Sequence, residues 1–353
     1  MDEGGKPSRA SKKPPARKKY SSSADVARLA GVSQAAVSRT FTEGASVSDK
    51  TRKKVVAASE QLGYRPSAIP RIMLTQRSSL VAIVSGGLYN PFYASVIELL
   101  ASKIQDSGSI VMFFTVNHGE YIDDILPKIL RYRVDGIVSA LSIISPDSAE
   151  KCSKMNVPVV LFNGKVRNEW VASVCSDNVA GGREIAALFI KRKARRFAYI
   201  AGKKGNMASD DRLAGYYSGL MEQEVRDVQI VYGNFRYEEG FEAACELLSK
   251  DPRPDAIFCA NDLMAVAAIE ACRSKFNLKV PEDVMIAGFD DIASASWPSI
   301  GLTTIRQDGP RMVEAALSIL DRMISGEQQT GGALQLVAAP LVERRSTQRG
   351  GQG

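Results

Sequence analysis

The sequence has a single histidine, His118, in 353 residues, which leaves almost no material for a Ser-His nucleophile or a histidine-ligated metal. Cysteine is nearly as sparse. Cys152, Cys175, Cys245, Cys259 and Cys272 are odd in number, widely spaced and mostly flanked by apolar residues. That excludes a disulfide framework or a CxxC metal site and fits buried, reduced thiols. The glycine pairs of GGREIAA and AGKKGN stand alone, without a GxGxxG or GxxxxGK[ST] loop. No catalytic residue, metal or cofactor is therefore expected, and an enzyme is not. No stretch approaches the roughly 20 apolar residues that span a bilayer. The Lys-, Pro- and Ser-rich start also lacks the apolar run of a signal peptide. The expected location is the cytoplasm, with no membrane partner.

What the chain does have is ordinary globular material, 45% hydrophobic and 24% charged, over a length that suits two or three domains. Its charge is polarised. Residues 1–77 hold 16 Lys and Arg against 6 Asp and Glu, an excess of +10 that leaves about −3 for the rest of a chain whose net charge is +7. Basic charge confined to one end points to phosphate neutralisation there. Residues 1–20 mix Lys, Arg, Pro, Gly and Ser with little to bury, and read as a flexible basic tail.

From Ser22 to about Leu62 the spacing predicts three short helices, in SSADVARLA, GVSQAAVSRTF and VSDKTRKKVVAASEQL. Ser22, Ser33 and Ser48 are the expected caps, with Asp25 completing a capping box on Ser22, and Val55, Ala58 and Leu62 make one apolar stripe on the third helix. Ala27 followed four residues later by Gly31 is the helix-turn-helix signature. Two helices crossing at roughly 90–120° need a small residue at the contact, and the turn needs one tolerant of positive φ. The second helix would then enter the major groove by its N-terminal residues. Gln34 can present an amide to adenine, Ala35 a methyl contact to thymine, and Arg39 a fork to guanine. Arg39 reads equally well as a phosphate clamp. The hydroxyls of Ser33, Ser38 and Thr51 suit phosphate contacts.

Beyond about residue 78, β-branched runs alternate with helical stretches. LVAIVS, IVMFFTV, DGIVSAL, VPVVLFN, RFAYIAG, VQIVYG, DAIFCAND and VMIAGFDD read as buried parallel strands, numerous enough to favour two doubly wound α/β lobes. Ligands settle beyond the carboxyl ends of such strands. Asn163, Asn261, Asp262, Asp290 and Asp291 are polar residues at those ends, with Asp262 and Asp291 the better structural caps.

From about Ser22 to about Thr347 the sequence strongly resembles the lactose-repressor (LacI/GalR) family. The match rests on DVARLAGVSQAAVSR, VSDKTRKKVVAASEQLGYRPS, NPFYASVIELLA, SDNVAGG, RLAGY, ANDLMAVAAI and GFDDIASASWPSIGLTTIRQD, in the family's order. The resemblance implies a headpiece at 21–64, a hinge at 65–78 and an effector-binding core at 79–347 like that of periplasmic binding proteins. The core's first lobe would span about 79–177 and 308–335 and its second about 178–307 and 336–347, with a tail at 348–353. It further implies a homodimer on a palindromic DNA operator, repressing transcription at the bacterial nucleoid under control of a small metabolite. In the hinge, Met73 stands where the family usually wedges a Leu into the minor groove, Ser67 would cap the short helix, and Pro70 replaces a small helix former. Ligand contact carries over to Phe92, Arg212, Asn261 and Asp290, and Phe235 matches an aromatic position against the ligand. Tyr89, Asn163 and Tyr237 fall on the rim. Arg212 and Asp290 together suit a sugar or sugar derivative, although Asp290 also reads as a helix cap or an interlobe salt bridge. The ending QRGGQG brings no Leu heptads, which favours a dimer. The rival readings are a cytosolic solute-binding protein with a polyanion-attracting tail and an activator of the same architecture.

Overall fold

The computed structural model describes residues 21–42, 44–65, 77–86, 88–116, 122–140, 144–164, 168, 170–327 and 332–348. The basic tail, His118 and the hinge residues Ser67, Pro70 and Met73 lie outside the described residues. The chain divides into two units, Met1–Gln76 and Arg77–Gly353.

In the first unit, α1 (Ser23–Ala30), α2 (Gln34–Thr40) and α3 (Asp49–Leu62) form where their caps dictate. The Ser22 hydroxyl accepts from the Asp25 amide, and the Asp25 carboxylate accepts back from the Ser22 amide, closing the expected capping box. Gly31 ends α1 at φ 64°, a left-handed conformation that a side chain would strain. Val26, Val37 and Val55 are fully buried, with Ala27, Ala30 and Ala58 filling between them. At roughly 1.5–3 kcal/mol per buried aliphatic side chain, so small a core depends on each of them. A hydrogen bond of 3.0 Å from Arg52 Nη1 to the Thr40 carbonyl ties α3 to the end of α2.

The second unit is built from two sheets of six strands each. The first contains β1 (Leu80–Ser85), β2 (Ile110–Thr115), β3 (Gly136–Ser139), β4 (Val159–Phe162), β5 (Val171–Ser176) and β11 (Leu334–Val337), in the order β2-β1-β3-β4-β5-β11. The second contains β6 (Phe197–Ala201), β7 (Val228–Tyr232), β8 (Ala256–Cys259), β9 (Met285–Asp290), β10 (Thr303–Arg306) and β12 (Leu341–Val342), in the matching order β7-β6-β8-β9-β10-β12. All pairings are parallel except β10 with β12. The helices that fix the cleft are α4 (Pro91–Asp106) and α11 (Gly309–Ser325) on the first lobe and α7 (Asn178–Lys191), α8 (Met207–Met221), α9 (Tyr237–Leu248) and α10 (Asp262–Ser274) on the second. The two doubly wound lobes expected from the alternation are the fold observed. The chain passes between lobes after β5, after β10 and after β11, so the first lobe takes in residues past the expected limit at 335. No helix of the described residues is long and apolar enough to cross a membrane.

Two strands differ from their reading as buried runs. β2 and β7 are outer strands of their sheets and expose apolar side chains, among them Ile110, Phe113, Ile230 and Tyr232. Their apolar content matches that of a central strand, but position in the strand order decides burial.

Several of the positive-φ residues lie where strands end. Asn163 follows β4 at φ 51°, Asn234 and Phe235 follow β7 at 50° and 64°, and Asp290 and Asp291 close β9 at 130° and 61°. Positive φ at a residue other than glycine costs on the order of 1–3 kcal/mol and is held only by surrounding contacts.

Candidate nucleic-acid interface and interlobe cleft

On the headpiece, α2 turns Val37 and Thr40 inward and leaves Gln34, Ala35, Ser38 and Arg39 exposed, so the expected base-reading residues share the outer face. Ser33 uses a lone pair to accept from the Ala36 amide at 3.2 Å, and its hydroxyl proton remains for a phosphate. Thr51 is half-buried and shares a 2.9 Å hydrogen bond with Ser48, next to exposed Lys50, Lys53 and Lys54.

The sequence reading missed Ser23. Its Oγ accepts from Gln34 Nε2 at 2.7 Å, which fixes the carboxamide while leaving its oxygen and second N–H for a base. Ser23→Ala is expected to weaken binding to a preferred duplex by roughly 2- to 10-fold, the value of one ordinary hydrogen bond, with random-sequence duplex unaffected. Anisotropy titrations at one salt concentration check this, and equal losses on both duplexes would assign Ser23 to the fold or the backbone contact instead.

Between the lobes, the ends of β4, β5, β8, β9 and β10 converge on a buried polar cluster. Asp290 is its centre, with Oδ1 accepting from Gln307 Nε2 at 2.6 Å and Oδ2 from Asn90 Nδ2 at 3.0 Å. Gln307 Oε1 accepts in turn from Ser176 Oγ at 2.7 Å and Asn163 Nδ2 at 3.1 Å. Arg212 is only 3% exposed and lies 3.9 Å from Asp290. It donates from Nε to Asn178 at 2.8 Å and from Nη1 to the Ala260 carbonyl, and its guanidinium stacks 3.6 Å above the Phe289 ring. Burial raises the Asp290 carboxyl above its usual range, opposed by Arg212 and by the Asn90 and Gln307 hydrogen bonds.

Asn261 caps α10 through the Met264 amide and donates from Nδ2 to the Phe235 carbonyl at 3.3 Å, so it holds the turn that presents Phe235. That ring lies against Gly202, where a Cβ would come within 2.1 Å of Phe235 Cζ; any side chain there would displace the aromatic wall. Tyr89 is 49% exposed, with the Arg236 guanidinium 5.0 Å from its ring centroid, a first-lobe residue touching a second-lobe one at the mouth. Phe92, expected as a ligand contact, is buried among core side chains and stacks edge-on against Tyr93 at 5.3 Å. Tyr237 is half-buried at the first residue of α9.

The reading of Asp262 as a helix cap is corrected: Asn261 is the cap, and the Asp262 carboxylate accepts from the Ile292 amide at 2.9 Å and the Thr304 hydroxyl at 2.5 Å. Asp291 pins Arg306 at 2.6 Å and Arg344 at 2.7 Å. Asn90, Ser176, Asn178 and Gln307 were missed. Ser176 closes β5 and Gln307 follows β10, so the strand-end rule would have found both had TTIR and VASVCS been counted as strands.

This geometry agrees with known proteins. A family model described as bacterial regulatory proteins, lacI family, matches residues 24–67, and one described as a periplasmic binding protein-like domain matches residues 186–347. The HTH-type transcriptional repressor PurR of Serratia proteamaculans is 31% identical over 333 residues, 92% of this chain and 96% of that protein. PurR of Erwinia tasmaniensis is 30% identical over 332 residues with the same coverage. Among solved structures, a complex of the transcriptional regulator CelR with cellobiose is 30% identical with a TM-score of 0.69, covering 92% of this chain and 99% of that one. The lac repressor dimer bound to operator and the anti-inducer ONPF is 25% identical with a TM-score of 0.82, covering 93% and 99%. The chain belongs to the lacI family of bacterial regulatory proteins: it is a DNA-binding transcription regulator with a periplasmic-binding-protein-like core, and not an enzyme.

Proposed function

We propose that this regulator is a homodimeric repressor, working at the bacterial nucleoid, that reads a two-fold-symmetric operator and takes a carbohydrate effector in the interlobe cleft. The observation that carries the effector class is the polar cluster itself. Asp290, Arg212, Gln307, Asn163 and Asn261 offer acceptors and donors at fixed positions, with Asn261 also bonded to the Phe235 carbonyl, which is the set a polyhydroxylated ring needs. The cellobiose held by the similar regulator supports this choice. Self-association is supported by the exposed apolar side chains on the corresponding outer strands of both lobes, Ile110 and Phe113 on β2 and Ile230 and Tyr232 on β7.

Gln34, Ala35 and Arg39 would read bases, and Ser33, Ser38 and Thr51 would hold phosphates. Met73 and Ser67 keep their expected minor-groove role as a proposal, since both lie outside the described residues. The effector changes operator affinity only through its differential affinity for two states of the core, which allows an inducer or a corepressor.

Arg39→Ala tests the DNA reading. The expected loss is about 1–3 kcal/mol on a duplex selected from a random library, with relaxed preference at one position. An equal loss on selected and random duplexes would make Arg39 a phosphate clamp.

A further inference from the structure

The cleft holds two side-chain hydrogen bonds to Asp290, one from a residue whose backbone is also tied to the end of β9 and one from the first lobe. Gln307 is one residue past β10, whose Arg306 pairs with Asp290 in the sheet, and the Gln307 amide also donates to the Asp290 carbonyl at 3.3 Å. The side-chain bond from Gln307 is thus backed by a backbone bond beside it, although the same carboxamide also accepts from first-lobe Ser176 and Asn163. Asn90 comes from the first lobe, 200 residues away in sequence, and its bond to Asp290 Oδ2 cannot survive separation of the lobes.

Asn90 has a second duty. Its Oδ1 accepts from the Phe92 amide at 3.0 Å and so caps α4, a helix packed on β1 and on α11. One buried carboxamide thus joins the cleft's central carboxylate to the first turn of a first-lobe helix. A ligand hydroxyl that approaches Asp290 Oδ2 along the lone pair Asn90 uses competes with the Asn90 donor, while Oδ1 already accepts from Gln307.

We propose that Asn90 is an interlobe latch: its amide competes with a ligand hydroxyl for Asp290, and an effector that displaces it loosens the tie between the cleft and the start of α4. Asn90 is then a positioning residue that ties cleft occupancy to the first lobe. The proposal rests on the cleft being the effector site, and deepens that reading.

Asn90→Ser keeps an oxygen able to cap α4 but is too short to reach Asp290. Hydrogen exchange on the full-length protein is the primary measurement. The variant should exchange roughly 5- to 10-fold faster than wild type, the weight of one buried hydrogen bond, at the amides around the end of β9 in the second lobe. Loss of an α4 cap alone would not touch those amides. The second measurement is a thermal-shift titration with cellobiose and D-ribose. A sugar that binds should bind the variant about 5- to 10-fold more tightly, because no latch has to be broken. Unchanged exchange at β9 overturns the latch, as does weaker sugar binding by the variant. Faster exchange at β9 with no response to either sugar supports the latch and removes these sugars as effectors.

Discussion

Arg212→Ala is expected to lower the stability of the core by about 3–5 kcal/mol, the cost of leaving a buried charge without its partner. The guanidinium does three things at once: it offsets the Asp290 carboxylate at 3.9 Å, satisfies Asn178 and the Ala260 carbonyl, and covers the Phe289 ring. In the alanine variant the Asn178 side chain and the Ala260 carbonyl lose a donor, and Asp290 keeps only two neutral amides. Urea unfolding of the full-length protein at pH 7 measures the loss. Asp290 can escape part of the penalty by taking up a proton, so the loss should shrink as pH falls below neutrality. Arg212→Ala combined with Asp290→Ala should be less destabilised than the sum of the single changes, because the orphaned charge is gone. A single variant with the wild-type midpoint would show that the guanidinium carries no such role.

Much of this was legible in the sequence because local rules govern it. The headpiece helices follow from Ser22, Ser33 and Ser48 as caps and from Gly31, all acting within four residues of their targets. The two-lobed fold follows from strand and helix alternation, and the place of Asn163, Asn261 and Asp290 in the cleft follows from their positions at or just past strand ends. What stayed hidden depends on the strand order or on pairs distant in sequence. IVMFFT and VQIVY read as central strands because both carry apolar residues on both faces, and nothing local reveals that their sheets end there. The link from Asn90 to Asp290 joins one amide and one carboxylate across 200 residues, and neither side chain departs from the pattern of its own segment. Asp262 misled for a related reason. It sits at the start of a helix, where acidic residues are usually solvated, yet the packing of β9 and β10 buries it completely.

That buried carboxyl sets the second large effect, a stability that falls as pH rises from about 4 to about 8. Burial, and then the neighbouring charges of Asp290 and Asp291, push Asp262 up to about 8, against the lowering pull of its hydrogen bonds from Thr304 and Ile292. Both of those donors are neutral, and Arg212 pairs with Asp290. The folded protein therefore keeps a proton on Asp262 through a range in which the unfolded chain has released it near the ordinary carboxylate value. A state that binds more protons loses ground as protons become scarce. The contribution of Asp262 is accordingly complete below about pH 4 and declines up to about pH 8, with a slope of at most about 1.4 kcal/mol per pH unit. Asp290 is shifted in the same direction by its own burial and adds to the trend. Asp262→Asn copies the protonated acid: its amide nitrogen can donate to Thr304 Oγ1 while its oxygen accepts from the Ile292 amide. Wild type minus variant, from urea unfolding at half-unit steps from pH 4.5 to 8.5, cancels the titrating groups that do not interact with Asp262. The difference should decline steadily with pH, so that the variant gains on wild type and matches or exceeds it at the alkaline end. A difference that stays flat across this range would mean that Asp262 is ionised in the folded protein, and that Thr304 and Ile292 suffice to hold a buried anion beside Asp290.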